Sequence, residues 1–267
     1  MPSLWKNKVV VVAGGSTGLG LSIATAFAER GAKIVLAARN EERLAQAVSV
    51  LHAIGADVLA VPTDILDAVQ VESLFSAGVD RYGQIDVLVN AVGKSLRGRA
   101  VDAEVEEFRE ALEINFLGSV QCTRAALPHL IRQKGSIVNI ASLAGKTAAL
   151  HMGAYSASKF PLVAYSQQLR LELEDVHVLL VCPGPIRRDD AGHRYDVTAT
   201  GLSPTAARPG GGVHLSMIDP DWLSRKIVRA LERRRSELVV PAKARLLFAI
   251  SQIFPRLGDW LLRQMSR

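Results

Sequence analysis

Short apolar runs alternate with amphipathic segments along most of the chain. Seven runs are rich in β-branched residues, in the order KVVVVAG, AKIVLAA, DVLAVPTD, IDVLVNA, GSIVNIAS, VHVLLVCPG and SELVVP. The segments between them have helical periodicity, and the longest runs from about 103 to 133. Continuously apolar strands separated by helices are typical of βαβ crossovers. The pattern therefore predicts one α/β domain over residues 1–267, with a doubly wound, seven-stranded parallel sheet and helices on both faces.

One internal segment departs from this alternation. The segment from about 187 to 219 is rich in Gly, Pro, Thr and Asp. Long irregular insertions after a strand commonly form lids or binding loops, so we predict a substrate loop here.

The C-terminal tail, at about 243–267, has an apolar stripe. Apolar residues recur there every three or four positions, at Leu246, Ile250, Phe254, Leu257, Leu261 and Met265. The spacing predicts an amphipathic helical tail that bends at Pro255. Such a stripe packs on its own protein or on a second subunit. The alternative is a peripheral, in-plane membrane contact, which the basic neighbours of the stripe would favour.

Composition narrows the class of protein. The 267 residues are 49% hydrophobic and 22% charged, which is ordinary for a globular domain. Cys122 and Cys182 have no companion ligands at metal-binding spacing. We therefore predict no metal site, no disulfide framework and a reduced, cytoplasmic location. The chain shows no apolar signal core and no uncharged apolar run of about 18 residues, so we expect neither a secretory signal nor a membrane span.

The net charge of +6 and the pI of about 9.5 raise the question of nucleic acid. Much of the excess lies in SRKIVRALERRRSE, which is typical of a solvated helix face with cations near its C-terminus. Aromatic residues, which a single-strand binder would need, are not interleaved with these cations. We predict no nucleic-acid partner.

A glycine-rich turn follows the first apolar run. In VVVVAGGSTGLG, Gly14, Gly18 and Gly20 come after a buried strand and open a helix. This context is typical of a Rossmann dinucleotide site, in which the backbone approaches a pyrophosphate at the helix N-terminus. The alternative is a tight strand-to-helix turn without a ligand.

The end of the second strand bears on the choice of cofactor. An NAD site places a carboxylate there, whereas this chain has Ala38 followed by Arg39. A guanidinium attracts the 2′-phosphate of NADP and an Asp would repel it. Ser16 and Asn40 offer further donors. We therefore predict NADP(H) over NAD(H), with a plain surface role for Arg39 as the alternative.

Taken together, the motifs resemble the short-chain dehydrogenase/reductase family over about 6–241. The resemblance rests on the glycine turn, NAVG, Asn115, Ser142 and YSASK, in that order. Ser142 stands thirteen positions before Tyr155 and Lys159 stands four after it, as in the family. The tail further resembles members related to 11β-hydroxysteroid dehydrogenases and bacterial ketone reductases.

The resemblance implies a cofactor site. It implies that Asp64 holds the adenine amino group and that the Pro-Gly turn of PGPI flanks the nicotinamide. The predicted cofactor-binding residues are Gly14, Ser16, Thr17, Gly18, Leu19, Gly20, Arg39, Asn40, Asp64, Ile65, Asn90, Ala91, Gly93, Tyr155, Lys159, Pro183, Gly184 and Ile186. The chain differs from the family pattern at Ala13, which replaces the leading Thr of the glycine motif, and at Arg188, which replaces a Thr that contacts the carboxamide. NAVG also departs by one residue from the family's Asn-Asn-Ala-Gly form, with Asn90, Ala91 and Gly93 retained.

The predicted catalytic residues are Asn115, Ser142, Tyr155 and Lys159. Tyr has an ordinary pKa near 10, so acid–base work near neutral pH requires a shift of roughly 2–3 units. A lysine one helical turn away favours the phenolate in a partly dry cleft. Tyr155 would then protonate a carbonyl oxygen and Ser142 would donate to it. The resemblance implies that Lys159 also holds the nicotinamide ribose and that Asn115 holds a water.

The predicted function is reversible, NADPH-dependent reduction of a hydrophobic ketone or aldehyde. The alternatives are an NAD-linked alcohol dehydrogenase of the same fold and a non-catalytic NADP(H)-binding sensor. We expect the substrate pocket between the residues after Ser142, the segment Ser95–Ala100 and the substrate loop. His151, next to this pocket, has the simpler interpretation of an ordinary loop histidine. The resemblance implies a homodimer or homotetramer built on the helices that carry Asn115 and Tyr155.

Overall fold

The apolar runs form one seven-stranded sheet in the computed structural model, which describes residues 3–188 and 216–265. The strands are β1 Val9–Ala13, β2 Lys33–Ala38, β3 Val58–Pro62, β4 Val87–Asn90, β5 Ser136–Ile140, β6 His177–Pro183 and β7 Glu237–Val240. Their order is β3-β2-β1-β4-β5-β6-β7, and every neighbouring pair is parallel. The predicted single-domain, doubly wound α/β fold is confirmed.

Helices occupy the segments between the strands. They are α1 Gly18–Ala28, α2 Glu41–His52, α3 Ala68–Tyr82, α4 Val105–Leu112, α5 Gly118–Gln133, α6 Gly153–Glu172, α7 Pro220–Glu232, α8 Ala244–Ile253 and α9 Pro255–Met265. A π-helical turn, Glu113–Leu117, joins α4 to α5, and a 3₁₀ turn, Leu143–Gly145, follows β5. The helical region predicted between about 103 and 133 is therefore present, but its backbone widens in the middle.

Both faces of the sheet are covered, which explains the uninterrupted apolar runs. In β1, Val10 and Val12 face a core with α1, α2 and α7, whereas Val9 and Val11 face a second core with α3 and α5. Successive strand residues point to opposite faces, so a strand with helices on both sides must be apolar at every position.

Buried polar side chains join β4 and β5 to the helices behind them. The Nδ2 of Asn90 donates to Asn139 Oδ1 at 2.9 Å and to Thr123 Oγ1 at 3.1 Å. The Nδ2 of Asn139 donates to Ser166 Oγ of α6 at 2.9 Å. This chain of hydrogen bonds fixes α6 relative to the ends of both strands, because each buried amide needs its partners.

Only the base of the predicted loop at about 187–219 lies within the described residues. Arg194 and the acidic loop residues Asp189, Asp190 and Asp196 lie outside them. At the base, the backbone N–H of Arg187 donates to Ile218 O, and that of Ile218 donates to Pro185 O, both at 2.8 Å.

The tail forms two helices rather than one. Helix α8 ends at Ile253 and α9 begins at Pro255, so the predicted bend is present. Residues of α8 and α9 pack against each other, and α8 contacts β7. Ile253, Phe254 and Trp260 remain exposed. Within the described residues, no helix is both long and apolar enough to cross a membrane.

Candidate active site

A cleft of about 850 Å³ lies at the carboxyl edge of the sheet, over the point where the strand order reverses between β1 and β4. Most of the predicted residues line it: Gly14, Ser16, Thr17, Leu19, Gly20, Arg39, Asn40, Asp64, Ile65, Ala91, Gly93, Ser142, Tyr155, Lys159, Pro183, Gly184 and Ile186. Loops that follow parallel strands meet at one edge, so residues distant in sequence share this cleft.

Three predicted residues are not part of the cleft lining in the described structure. Gly18 is the first residue of α1 and lies at the cleft rim, next to lining residues Thr17 and Leu19. Asn90 is 2% exposed and its amide serves the network between β4 and β5. Asn115 is fully buried behind the cleft.

The glycine turn brings two backbone segments unusually close. A Cβ on Gly20 would lie 2.0 Å from the carbonyl oxygen of Gly14, so no side chain fits there. Thr17, the N-cap of α1, makes no side-chain capping bond, and the first turn contains no acidic residue. The N–H groups that begin α1 are therefore suited to an anion, and the turn fits the pyrophosphate of a dinucleotide.

At the other end of the cleft, two arginines follow β2. The Arg39 side chain is 70% exposed, and its Nη1 lies 3.9 Å from Asp64 Oδ2. The Asn40 side chain caps α2 by accepting from the backbone N–H of Arg43 at 2.8 Å. Arg43 also lines the cleft. Its place in the first turn of α2, shortly after Arg39 and Asn40, could have revealed it.

Ser142 and Tyr155 stand on the wall opposite the glycine turn. Ser142 follows β5, and its Oγ accepts from the backbone N–H of Ala144 at 3.1 Å. Because that bond uses an oxygen lone pair, the hydroxyl proton remains able to donate. Tyr155 lies in the first turn of α6, which begins at Gly153. Both side chains line the same cleft.

Lys159 is a deeply buried cation of the cleft, with 3% of its surface exposed. Its Nζ donates to the carbonyl oxygen of Ile140 at 3.1 Å. Burial lowers the pKa of this ammonium from 10.5 to about 8, against a smaller opposing effect of Cys182. The group is therefore mostly charged at neutral pH and loses its proton more readily than an exposed lysine does.

Asn115 joins three parts of the protein from within the π-helical turn. Its Oδ1 accepts from the backbone N–H of Lys94 at 2.8 Å, and its Nδ2 donates to Lys94 O and to Ser158 Oγ, both at 2.9 Å. Ser158 precedes Lys159 in α6. Asn115 thus holds the segment after β4 against the helix that carries Tyr155 and Lys159.

Two of the three segments expected to line the substrate pocket do so in the described structure. Residues after Ser142 line the cleft at Leu143, Ala144, Thr147, Ala149 and Met152, and the segment after β4 contributes Ser95 and Arg97. The tail adds an apolar wall that sequence reasoning missed, formed by Leu246, Leu247, Phe248, Ile250, Leu261, Leu262 and Met265. Periodicity identified the stripe, but not the surface it faces.

Known proteins resemble this chain in sequence and in fold. Residues 8–196 match the family model described as short chain dehydrogenase. The protein therefore belongs to the short-chain dehydrogenase family and is an oxidoreductase. Ketoacyl reductase HetN of Nostoc is 31% identical over 266 residues, which cover 96% of this chain and 88% of that protein.

Two solved structures are similar over most of the chain. A short-chain dehydrogenase/reductase from Burkholderia phymatum, in complex with NAD, has a TM-score of 0.79 and 26% identity over 93% of this chain and 95% of its own. An alcohol dehydrogenase from Thermococcus sibiricus, in complex with 5-hydroxy-NADP, has a TM-score of 0.73 and 27% identity over 87% of this chain and 95% of its own. The neighbours thus bind both kinds of nicotinamide dinucleotide.

The buried charge of Lys159 leads to a prediction about stability. We expect Lys159→Met to raise the free energy of unfolding at pH 7 by about 2 kcal/mol, because the neutral side chain avoids burying a charge. The folded-state pKa of about 8 lies below the unfolded value of 10.5, so the penalty is complete below pH 8 and disappears as pH rises to 10.5. The stability gained by Lys159→Met should therefore decrease as the pH rises from 8 to 10.5.

Urea unfolding of the wild type and the variant at pH 7 and near pH 10 measures this difference. Lys6→Met, at an exposed position, is the control and should change stability little at either pH. A gain from Lys159→Met that is the same at both pH values would contradict a buried, titrating ammonium.

Proposed function

We propose that the protein is an NADPH-dependent carbonyl reductase that acts reversibly on hydrophobic ketones or aldehydes. The observation that carries the proposal is the meeting of Ser142, Tyr155 and Lys159 in one cleft with the glycine turn and with Arg39. A sensor that only binds the dinucleotide has no need of this serine, tyrosine and lysine together.

The preference for NADPH is argued from the residues after β2. Arg39 and Arg43 both line the cleft there, and the strand ends in Ala38 rather than in a carboxylate. Two guanidinium groups suit the nearly doubly charged 2′-phosphate, to which they can donate paired hydrogen bonds. Asp64, 3.9 Å from Arg39, helps to orient this side chain while remaining available to the adenine.

The proposed proton chemistry centres on Tyr155. A bound, reduced nicotinamide would supply hydride to the carbonyl carbon. Tyr155 then gives its proton to the carbonyl oxygen as a general acid. Lowering the pKa of a tyrosine by 2–3 units requires about 3–4 kcal/mol. A cation about 4 Å away contributes about 4 kcal/mol at an intermediate effective dielectric. Lys159, buried beside the cleft, is suited to that task.

Ser142 and Asn115 have supporting roles in this proposal. The Ser142 hydroxyl accepts from Ala144 N–H and keeps its own proton available to donate to the carbonyl oxygen, which gains negative charge during the reaction. Asn115 keeps Lys159 in place through its bond to Ser158. The water-holding role that the family implies for Asn115 remains part of the proposal.

The expected substrate is apolar. The tail wall and the residues after Ser142 supply small and aliphatic side chains to the cleft. A ketoacyl reductase among the relatives agrees with a carbonyl on an aliphatic chain. The closer kinship with 11β-hydroxysteroid dehydrogenase-like members stays a prediction, as does the cytoplasmic location.

The proposed assembly is a homodimer or homotetramer. Exposed apolar residues on and near the helices that carry Asn115 and Tyr155 would form its interface, namely Leu117, Ile131, Phe160 and Leu171. The exposed face of the tail carries Ile253, Phe254 and Trp260. For this face the alternative to a contact between subunits is a peripheral contact with a membrane.

Cofactor preference is tested by titrating the purified protein with NADPH and NADH and following nucleotide fluorescence. We expect wild type to bind NADPH at least tenfold more tightly, and Arg39→Ala to remove most of that margin by weakening only NADPH. Arg81→Ala, an exposed arginine outside the cleft lining, is the control. Equal binding of the two nucleotides by wild type would favour the NAD-linked alcohol dehydrogenase.

The catalytic assignment is tested with Tyr155→Phe, which removes only the phenolic oxygen. We expect kcat in a panel of apolar ketones to fall by about 10²–10⁴, the usual contribution of general acid catalysis, while the Kd for NADPH changes little. Tyr82→Phe, remote from the cleft, should keep full activity. Turnover by Tyr155→Phe near the wild-type rate would refute the assignment. NADPH binding without turnover of any carbonyl by wild type would support the sensor.

The tail wall leads to a prediction about substrate size. Leu262→Ser removes apolar surface from the cleft, so we expect kcat/KM for long 2-alkanones to fall by about tenfold and that for short ones to change little. Leu257→Ser, also in α9 but outside the cleft lining, is the matched control. An equal effect of the two variants across the chain-length series would show that α9 does not contact substrate.

A further inference from the structure

Two consecutive arginines, Arg187 and Arg188, begin the segment that follows the Pro-Gly turn after β6. Both are exposed, and they carry the same charge on the same stretch of backbone. Their side chains nevertheless meet different parts of the molecule. We therefore consider the surroundings of the two side chains separately.

Arg187 contacts residues at the base of the loop. Its guanidinium forms an ion pair with Asp219. Asp219 in turn caps α7 by accepting from the backbone N–H of Trp222 at 2.8 Å. The backbone of Arg187 is held as well, through the 2.8 Å bond from its N–H to Ile218 O. These contacts hold both the backbone and the side chain of the residue immediately before Arg188.

Arg188 reaches across the cleft in the other direction. Its Nη2 lies 3.8 Å from the position that a Cβ on Gly18 would occupy. Gly18 is the first residue of α1, and Arg188 lines the cleft. Successive residues of an extended backbone point to opposite sides, which explains why Arg187 faces Asp219 and Arg188 faces the glycine turn.

We propose that Arg188 is a pyrophosphate-binding residue of the dinucleotide site. The proposal rests on the proposed function only in requiring that a nicotinamide dinucleotide occupies the cleft. The start of α1 presents uncapped N–H groups and no acidic residue in its first turn, so it attracts an anion from one side. The Arg188 guanidinium faces the same point from the opposite lip and can donate two parallel bonds to phosphate oxygens.

This assignment also gives the departure from the family pattern a physical meaning. A threonine at this position offers one neutral hydroxyl close to the backbone. Arg188 is longer and charged, and extends to Gly18 instead. A charged group directed at the pyrophosphate thus stands where the family has a neutral hydroxyl near the carboxamide. The backbone of Arg187, directly before it, is held by the bond to Ile218 O, which limits the further ordering that binding requires.

The pyrophosphate contact is separable from recognition of the 2′-phosphate. Arg39 and Arg43 lie after β2, whereas Arg188 lies after β6, beyond β1, β4 and β5 in the sheet order. The two sets of cations therefore serve different phosphates. A ligand that carries one kind of phosphate and not the other can distinguish them.

The experiment measures Kd by isothermal titration calorimetry for NADPH, NADH, ADP-ribose and adenosine 2′-monophosphate. We expect Arg188→Gln to weaken the first three by a similar factor, roughly tenfold, since all contain the pyrophosphate. Adenosine 2′-monophosphate lacks it and should bind with unchanged affinity. Arg188→Lys should recover part of the loss. Arg132→Gln, an exposed charge-matched change in α5, should alter none of the four values.

Other outcomes overturn the inference in distinguishable ways. If wild type binds the dinucleotides and Arg188→Gln binds them equally well, Arg188 has no such role and the proposed function stands. If Arg188→Gln weakens NADPH and adenosine 2′-monophosphate but not NADH, Arg188 serves the 2′-phosphate instead. If wild type binds none of the dinucleotides, the proposed function fails and this inference fails with it. Circular dichroism of each variant excludes a loss of fold as the cause.

Discussion

The burial of the Lys159 ammonium is the constraint on which the arrangement of the cleft depends. An interior charge costs several kcal/mol unless nearby groups compensate for it. Here the carbonyl oxygen of Ile140 accepts from Nζ at 3.1 Å, which requires α6 to lie close to the end of β5. Gly145 permits that approach, because a Cβ there would lie 2.7 Å from the carbonyl oxygen of Lys159. Gly93 closes the other side, where a Cβ would lie 3.2 Å from Nζ. The position of this cation is therefore set by backbone contacts from three parts of the chain, so it needs little rearrangement for its proposed role beside Tyr155.

The parallel sheet brings the other residues of the cleft to the same edge as Lys159. Because all seven strands in the described residues run the same way, the turns after them open at one edge. The glycine turn after β1, Arg39 after β2, Ser142 after β5 and the Pro-Gly turn after β6 meet there. The buried amides of Asn90 and Asn139 fix the ends of β4 and β5 relative to α6. The same geometry that brings the proposed cofactor and catalytic residues together thus also keeps them in register.

Charge and apolar surface are separated across the cleft. Arg39 and Arg43 follow β2, near one edge of the sheet, while α8 and α9 lie beyond β7 at the other. A ligand with phosphates at one end and a hydrophobic group at the other end matches this arrangement, because each end meets surface of its own kind. Arg188 lies between these extremes and faces the start of α1.

Much of the fold and the site was accessible from the sequence, because the signals are local. Seven apolar runs predicted seven strands, and the glycine turn, Ser142 and the Tyr155–Lys159 spacing marked residues that line one cleft. Contacts between distant segments were not accessible. Periodicity located the tail stripe, but its packing against the cleft depends on how α8 folds back from β7. The widened turn around Asn115, the deep burial of Lys159 and the direction of the Arg188 side chain likewise arise from neighbours remote in sequence. Sequence determined which residues are proposed to carry the chemistry. Tertiary structure decided what each one faces, because desolvation and close approach depend on groups that only folding brings together.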